Sequence, residues 1–166
     1  MVVLLLLIIF LGIRKREKME FLRKANDEVL GIFNEIIRQY NFNYKRISST
    51  QSAIYKDDFA LILTPERGYS NIEYLKKEGD KIFCYWIQPF MCENLTDEDR
   101  SNKRSGDDLH TKIVNYLIIY EKVLRTKHES MLLGKMDWVD DFKKSKMWSI
   151  REIYPNQYSK YGELFA

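Results

Sequence analysis

Four short runs rich in β-branched and aromatic residues lie between Ser52 and Phe90, and they constrain the fold more than any other part of the chain. They are Ala53-Ile54-Tyr55, Phe59-Ala60-Leu61-Ile62-Leu63, Ile72-Glu73-Tyr74-Leu75 and Ile82-Phe83-Cys84-Tyr85-Trp86-Ile87. Turn chemistry separates them. Lys56-Asp57-Asp58 is a polar hairpin connection, Pro65-Glu66-Arg67-Gly68 puts Pro and Gly where a tight turn uses them, and Glu78-Gly79-Asp80 supplies a residue tolerant of positive φ. Strands joined by such short links make an antiparallel meander of about four strands. Alternation along the last run puts Phe83, Tyr85 and Ile87 on one face and Ile82, Cys84 and Trp86 on the other, so both faces are apolar. One face takes helices, which leaves the other to the C-terminal tail or to a partner.

The helices are legible on either side of the meander. Between residues 18 and 40, Leu22, Ala25, Val29, Ile32, Phe33, Ile36, Ile37 and Tyr40 recur at the spacing of one helical face, with Gly31 as a weak point. A second apolar face runs through Leu109, Ile113, Val114, Leu117, Tyr120 and Leu124, after candidate N-caps at Ser105, Asp107 and Asp108. Residues 93–106 read as a mobile polar loop with a helical turn begun by Thr96. The expected class is α+β, a meander flanked by an N-terminal helix and C-terminal helices. Residues 19–150 form the domain, preceded by a leader over residues 1–18 and followed by an irregular aromatic tail over residues 151–166.

The leader is apolar from residue 2 to residue 13 except for Gly12, and basic residues follow it at once. No positive charge precedes it and no small-residue cleavage site follows, which argues against a secretory signal. As a helix it would be about 18 Å long, short against a hydrocarbon core of about 30 Å. The net charge of +3 is carried entirely by residues 14–18, leaving residues 19–166 neutral. Such a balance does not suit a nucleic-acid-binding face. Arg14, Lys15, Arg16 and Lys18 instead suit an anionic membrane surface, so the expected location is cytoplasmic, with attachment to the cytoplasmic face of the membrane. A terminal helix packed in the core or in a partner is the alternative.

The chemistry-bearing residues are sparse. His110 and His128 pair with no other ligand type at metal-binding spacing, and solvent-exposed or capping roles explain them first. Asp97, Asp99 and Ser101 alternate like the start of a calcium loop, but Asn102 stands where Gly is needed and Arg100, Lys103 and Arg104 bring positive charge. Two cysteines, Cys84 and Cys92, make no disulfide framework, and a buried reduced Cys84 is the simpler reading. There is no nucleophile elbow, P-loop or dinucleotide fingerprint. No metal or cofactor is expected. The aromatic set Tyr69, Tyr74, Tyr85, Trp86, Trp138 and Trp148 suits recognition of a protein partner, although core packing is the first explanation of any member.

The order of helix, Gln39-Tyr40-Asn41-Phe42, a meander containing Leu61-Ile62-Leu63-Thr64-Pro65-Glu66-Arg67-Gly68, a second helix and Leu132-Leu133-Gly134-Lys135-Met136-Asp137-Trp138 resembles small uncharacterised bacterial α+β proteins. Some of these are similar to immunity proteins of toxin systems. The resemblance spans roughly residues 20–145, and its motifs are structural. It implies a non-enzymatic protein-binding module that neutralises a toxin. The competing expectation is a small hydrolase or nucleotide-acting enzyme with a site assembled from distant residues, which a pocket joining a histidine to an acid or to Cys84 would favour.

Overall fold

The computed structural model describes residues 19–154 and 160–165; the leader, with its basic cluster, lies outside them. Residues 19–27 are helical (α1), followed by α2 (Val29–Ile32) and α3 (Asn34–Gln39). One continuous helix was the expectation, and turns at Glu28 and Phe33 interrupt it. The apolar face nevertheless survives the breaks, because Ala25, Val29, Phe33, Ile36 and Tyr40 are all buried. Asn41, at φ 59°, turns the chain into the sheet.

The strands are β1 (Asn43–Ser48), β2 (Gln51–Lys56), β3 (Phe59–Glu66), β4 (Tyr69–Glu78), β5 (Lys81–Tyr85) and β6 (Ile150–Glu152). They pair in the order β1-β2-β3-β4-β5-β6, every neighbour antiparallel. The meander thus has six strands where about four were expected. Both additions are edges: β1 is mostly charged and polar, and β6 is three residues long, so neither carries the apolar signature of a central strand. The hairpins turn where the sequence puts turn residues, with positive φ at Asp57, Gly68 and Gly79.

The helices after the sheet are α4 (Gln88–Cys92), α5 (Leu109–Lys127), α6 (Glu129–Leu132) and α7 (Val139–Phe142). Asp108 caps α5, its carboxylate accepting from Thr111 N at 2.9 Å. Leu117, Tyr120, Val123 and Leu124 of α5 join Val29, Phe33 and Ile36 over Ile54, Leu61, Leu63, Ile72 and Tyr74 in the larger core. Ser70 ties sheet to helix, donating to Ile113 O at 3.1 Å while its carbonyl accepts from Tyr120 Oη at 2.6 Å. Buried Asn26 does the same for α1. It donates to the Ser48 and Ser49 carbonyls and accepts from Ser52 Oγ at 2.9 Å. Gly134, at φ 70°, lets the backbone pass Phe59 so closely that a Cβ would stand 2.7 Å from its ring.

A smaller apolar cluster covers the opposite face. Ala53, Ala60, Ile62, Leu75, Ile82 and Cys84 meet Ile153, Tyr161 and Leu164, the last two from a short helical stretch that ends in the 3-10 helix Gly162–Leu164. The tail was one of the two occupants expected for this face, but as an irregular segment rather than a helical one. Glu163 pairs with Lys45, Tyr161 Oη donates to Gln51 Oε1 at 3.4 Å, and the Phe165 carbonyl accepts from Lys77 Nζ at 3.2 Å. Among the described residues no helix is long and apolar enough to cross a membrane.

Candidate functional site

The C-terminal segment covers only part of the second face. Alternation carries the uncovered part onto Glu66, Tyr69, Asn71 and Glu73, while β5 contributes Trp86 just past its end and β6 contributes Arg151. These residues, with Ser149, line a concavity of about 300 Å³. Its polar groups are held in place. Trp86 Nε1 donates to Asn71 Oδ1 at 2.8 Å, Arg151 Nη2 to Glu73 Oε1 at 3.1 Å and Tyr69 Oη to Glu66 Oε2 at 2.6 Å. The last bond, followed by burial, raises the Tyr69 phenol above its ordinary pKa. Glu66 has no cationic partner among the described residues, so two carboxylates face one guanidinium and the concavity carries excess negative charge.

The six aromatic candidates separate on burial. Tyr74, Tyr85 and Trp138 belong to the larger core, where Trp138 meets Tyr74 and Tyr85 edge-on at 5.2 and 5.5 Å between ring centroids. Burial raises the Tyr74 phenol well above its usual range, and its hydroxyl has no hydrogen-bond partner among the described residues. Tyr69 and Trp86 line the concavity. Trp148, half exposed, precedes Ser149 at its margin. Alternation along β5 was enough to put Trp86 opposite Tyr85, whereas Arg151, Glu73 and Asn71 were missed because a lone charged or amide residue on a strand carries no pattern.

Two further hollows lie on the helix side. One, of about 430 Å³, is lined by Gln88, Cys92, Arg100, Lys103, Lys112, Asn115 and Tyr116 among others. The other, of about 390 Å³, holds His128 with Glu93, Asp141 and Ser145. This second hollow brings a histidine, acids and a hydroxyl together, the arrangement a hydrolase would need. Among the described residues, however, no hydrogen bond connects them: Glu93 accepts from Lys146 N at 3.0 Å, Asp141 from Lys144 Nζ at 2.7 Å, and Ser145 Oγ is buried without a partner. Burial, reinforced by Lys127, lowers the His128 pKa. The imidazole, tilted against the Phe90 ring with 5.1 Å between centroids, has neither an orienting acid nor a nucleophile within its bonds among the described residues. His110 is spent elsewhere, 3.0 Å from Glu28.

The cysteines sit on opposite faces of the sheet, Cys84 under the C-terminal segment and Cys92 beside the larger core. Burial pushes the Cys84 thiol up to about 12, so neither the pairing nor the acidity of a reactive thiol is present. No group of three or more acidic, histidine or cysteine ligands able to hold a metal occurs among the described residues. Asp99, the centre of the calcium-loop pattern, accepts from Thr96 N and from Lys127 Nζ, both at 2.6 Å. Comparison with family models, curated proteins and solved structures gives no match for this chain.

Proposed function

We propose that the protein is a non-enzymatic binding module whose uncovered sheet face receives a protein segment carrying a basic side chain. The observation that supports this is the conjunction, in one concavity, of the Trp86 and Tyr69 rings with the Glu66 and Glu73 carboxylates, balanced by Arg151 alone. A Lys or Arg head placed there gains a cation–π contact and a carboxylate together. The fixed polar groups lower the ordering cost of binding. In the immunity-like reading, the segment belongs to a toxin domain that the module occludes.

The test uses extended peptides identical except for Arg, Lys, Leu or Glu at the centre, titrated while the Trp86 indole N–H resonance is followed. Arg and Lys peptides shift it, and Trp86→Ala and Glu66→Gln each weaken binding about tenfold. If Leu or Glu peptides bind equally well, or the shifts map to another surface, the reading is wrong. The leader supports a companion proposal, that the module is held at an anionic membrane. Reversing Arg14, Lys15 and Arg16 to Glu then releases the full chain from anionic vesicles, and failure to bind such vesicles at low salt rejects attachment.

A further inference from the structure

The loop over residues 93–106 is not free to wander, because α5 grips it along its length. Asn115 makes reciprocal bonds with the Arg104 backbone, accepting from its N at 2.7 Å and donating to its O at 3.0 Å. Lys122 donates to the Glu98 carbonyl and to Ser101 Oγ, and Lys127 to the Asn94 carbonyl at 3.1 Å and to Asp99. Within the loop Thr96 and Asp99 cap one another, and Arg104 reaches back to Glu28 at 2.6 Å. This clamp sets Arg100 and Lys103 across a cleft from Lys112, in the first turn of α5.

The cleft has three cations and no carboxylate in its wall. The nearest counter-charges are loose. Asp97 lies 4.0 Å from Arg100 and Asp107 lies 3.9 Å from Lys112, both carboxylates fully exposed, and Lys103 has no ion pair among the described residues. Arg100 is oriented by Nη1, which donates to the Leu95 carbonyl at 3.0 Å, so among the described residues its other guanidinium nitrogens are unspent. Gln88 adds an amide, and the Tyr116 ring forms an apolar wall. A chain whose residues 19–166 are neutral overall has concentrated positive charge in one hollow of about 430 Å³, within the size range of small-molecule sites.

We propose that this cleft binds a small phosphate ester, the phosphoryl group among Arg100, Lys103 and Lys112 and the organic group against Tyr116. Its concavity and its small number of cations favour a small ligand over a nucleic-acid backbone, which takes charge spread along a surface.

The test is calorimetric titration of the full chain with inorganic phosphate, phenyl phosphate, phenol and a single-stranded oligonucleotide, with backbone resonances locating each site. Phosphate binds with a Kd of about 1 mM or tighter, phenyl phosphate about tenfold more tightly and phenol not at all. Lys103→Glu with Lys112→Glu abolishes binding while the circular dichroism is unchanged. Lys103→Ala alone, on the exposed loop, weakens it severalfold and keeps the result interpretable if the double variant misfolds. Equal affinity for phosphate and phenyl phosphate overturns the ester assignment. No binding at 10-fold the expected Kd, retention in the charge variants, or oligonucleotide binding that strengthens with length overturns the site.

Discussion

The two faces of one sheet are closed by different means. On the first, helices from both sides of the meander in the chain bring Phe33, Ile36, Leu117, Tyr120 and Leu124 to full burial against β2, β3 and β4. On the second, a helical stretch near the C-terminus supplies Tyr161 and Leu164 and is held by an ion pair and two polar bonds from single side chains. The first face holds the fold together, and the second divides its area between cover and open surface. A fully closed second face would have left no place for the acidic concavity, and an open one would have exposed Ile62, Leu75 and Ile82 together.

The sharpest way to break that contrast is on the helix face. Ile36 and Leu117 are wholly buried, so replacing either by Ala costs about 2–5 kcal/mol of unfolding free energy in a denaturant titration. A loss below about 0.5 kcal/mol would mean that this face does not carry the stability. Asn26→Ala ranks next. It strips partners from Ser52 and two carbonyls at the junction of α1 with the β1–β2 turn, for about 1–3 kcal/mol.

On the second face, Leu164→Ala costs about 2 kcal/mol, at the low end for Leu, because a thin cover can settle into the gap. Its distinguishing readout is local. Cys84 lies under that cover with its pKa raised to about 12, so thiol labelling at neutral pH needs the segment to open. The substitution speeds Cys84 labelling more than it speeds Cys92 labelling. Equal acceleration at both thiols would show that the cover opens only with global unfolding.

The same asymmetry governs what was legible in the sequence. The central strands and the two long amphipathic patterns were readable because burial on two faces, or along one helical stripe, imposes a period that composition cannot hide. The edge strands were not. β1 reads as Asn-Tyr-Lys-Arg-Ile-Ser, and its charged residues serve partners distant in sequence, Arg46 pairing with Asp27 and Lys45 with Glu163. The division of β5 into two apolar faces was visible, and with it the expectation that helices take one face and the tail or a partner the other, but not which face would be which. Which aromatics would be left over was not: alternation puts Tyr69 and Tyr74, five residues apart on one strand, on opposite faces, but does not say which face the helices cover. The cationic cleft was equally hidden. Its residues look like an ordinary mixed-charge loop until Asn115, Lys122 and Lys127 are seen to clamp it.

That clamp gives the smallest effect and the one most directly tied to pH. The Lys127 ammonium, with the Thr96 bonds behind it, holds the Asp99 carboxyl below its ordinary range. A depressed folded-state pKa means that the unfolded chain takes up a proton first as the medium is acidified. The anchoring is therefore complete above about pH 4, the ordinary Asp value, and is lost as pH falls toward the lower folded-state value. Amide exchange over residues 93–106, corrected for intrinsic rates, rises in that acidic window while the β3–β4 amides stay protected. Asp99→Asn raises loop exchange at neutral pH and flattens its pH dependence, because an amide cannot titrate and pairs with Lys127 less strongly. If the loop exchanges alike at pH 3 and pH 6, or the variant keeps the wild-type pH profile, then Asp99 is not the latch. The loop's order would then rest on its other anchors, Asn115, Lys122, the Lys127 bond to the Asn94 carbonyl and the Arg104–Glu28 pair.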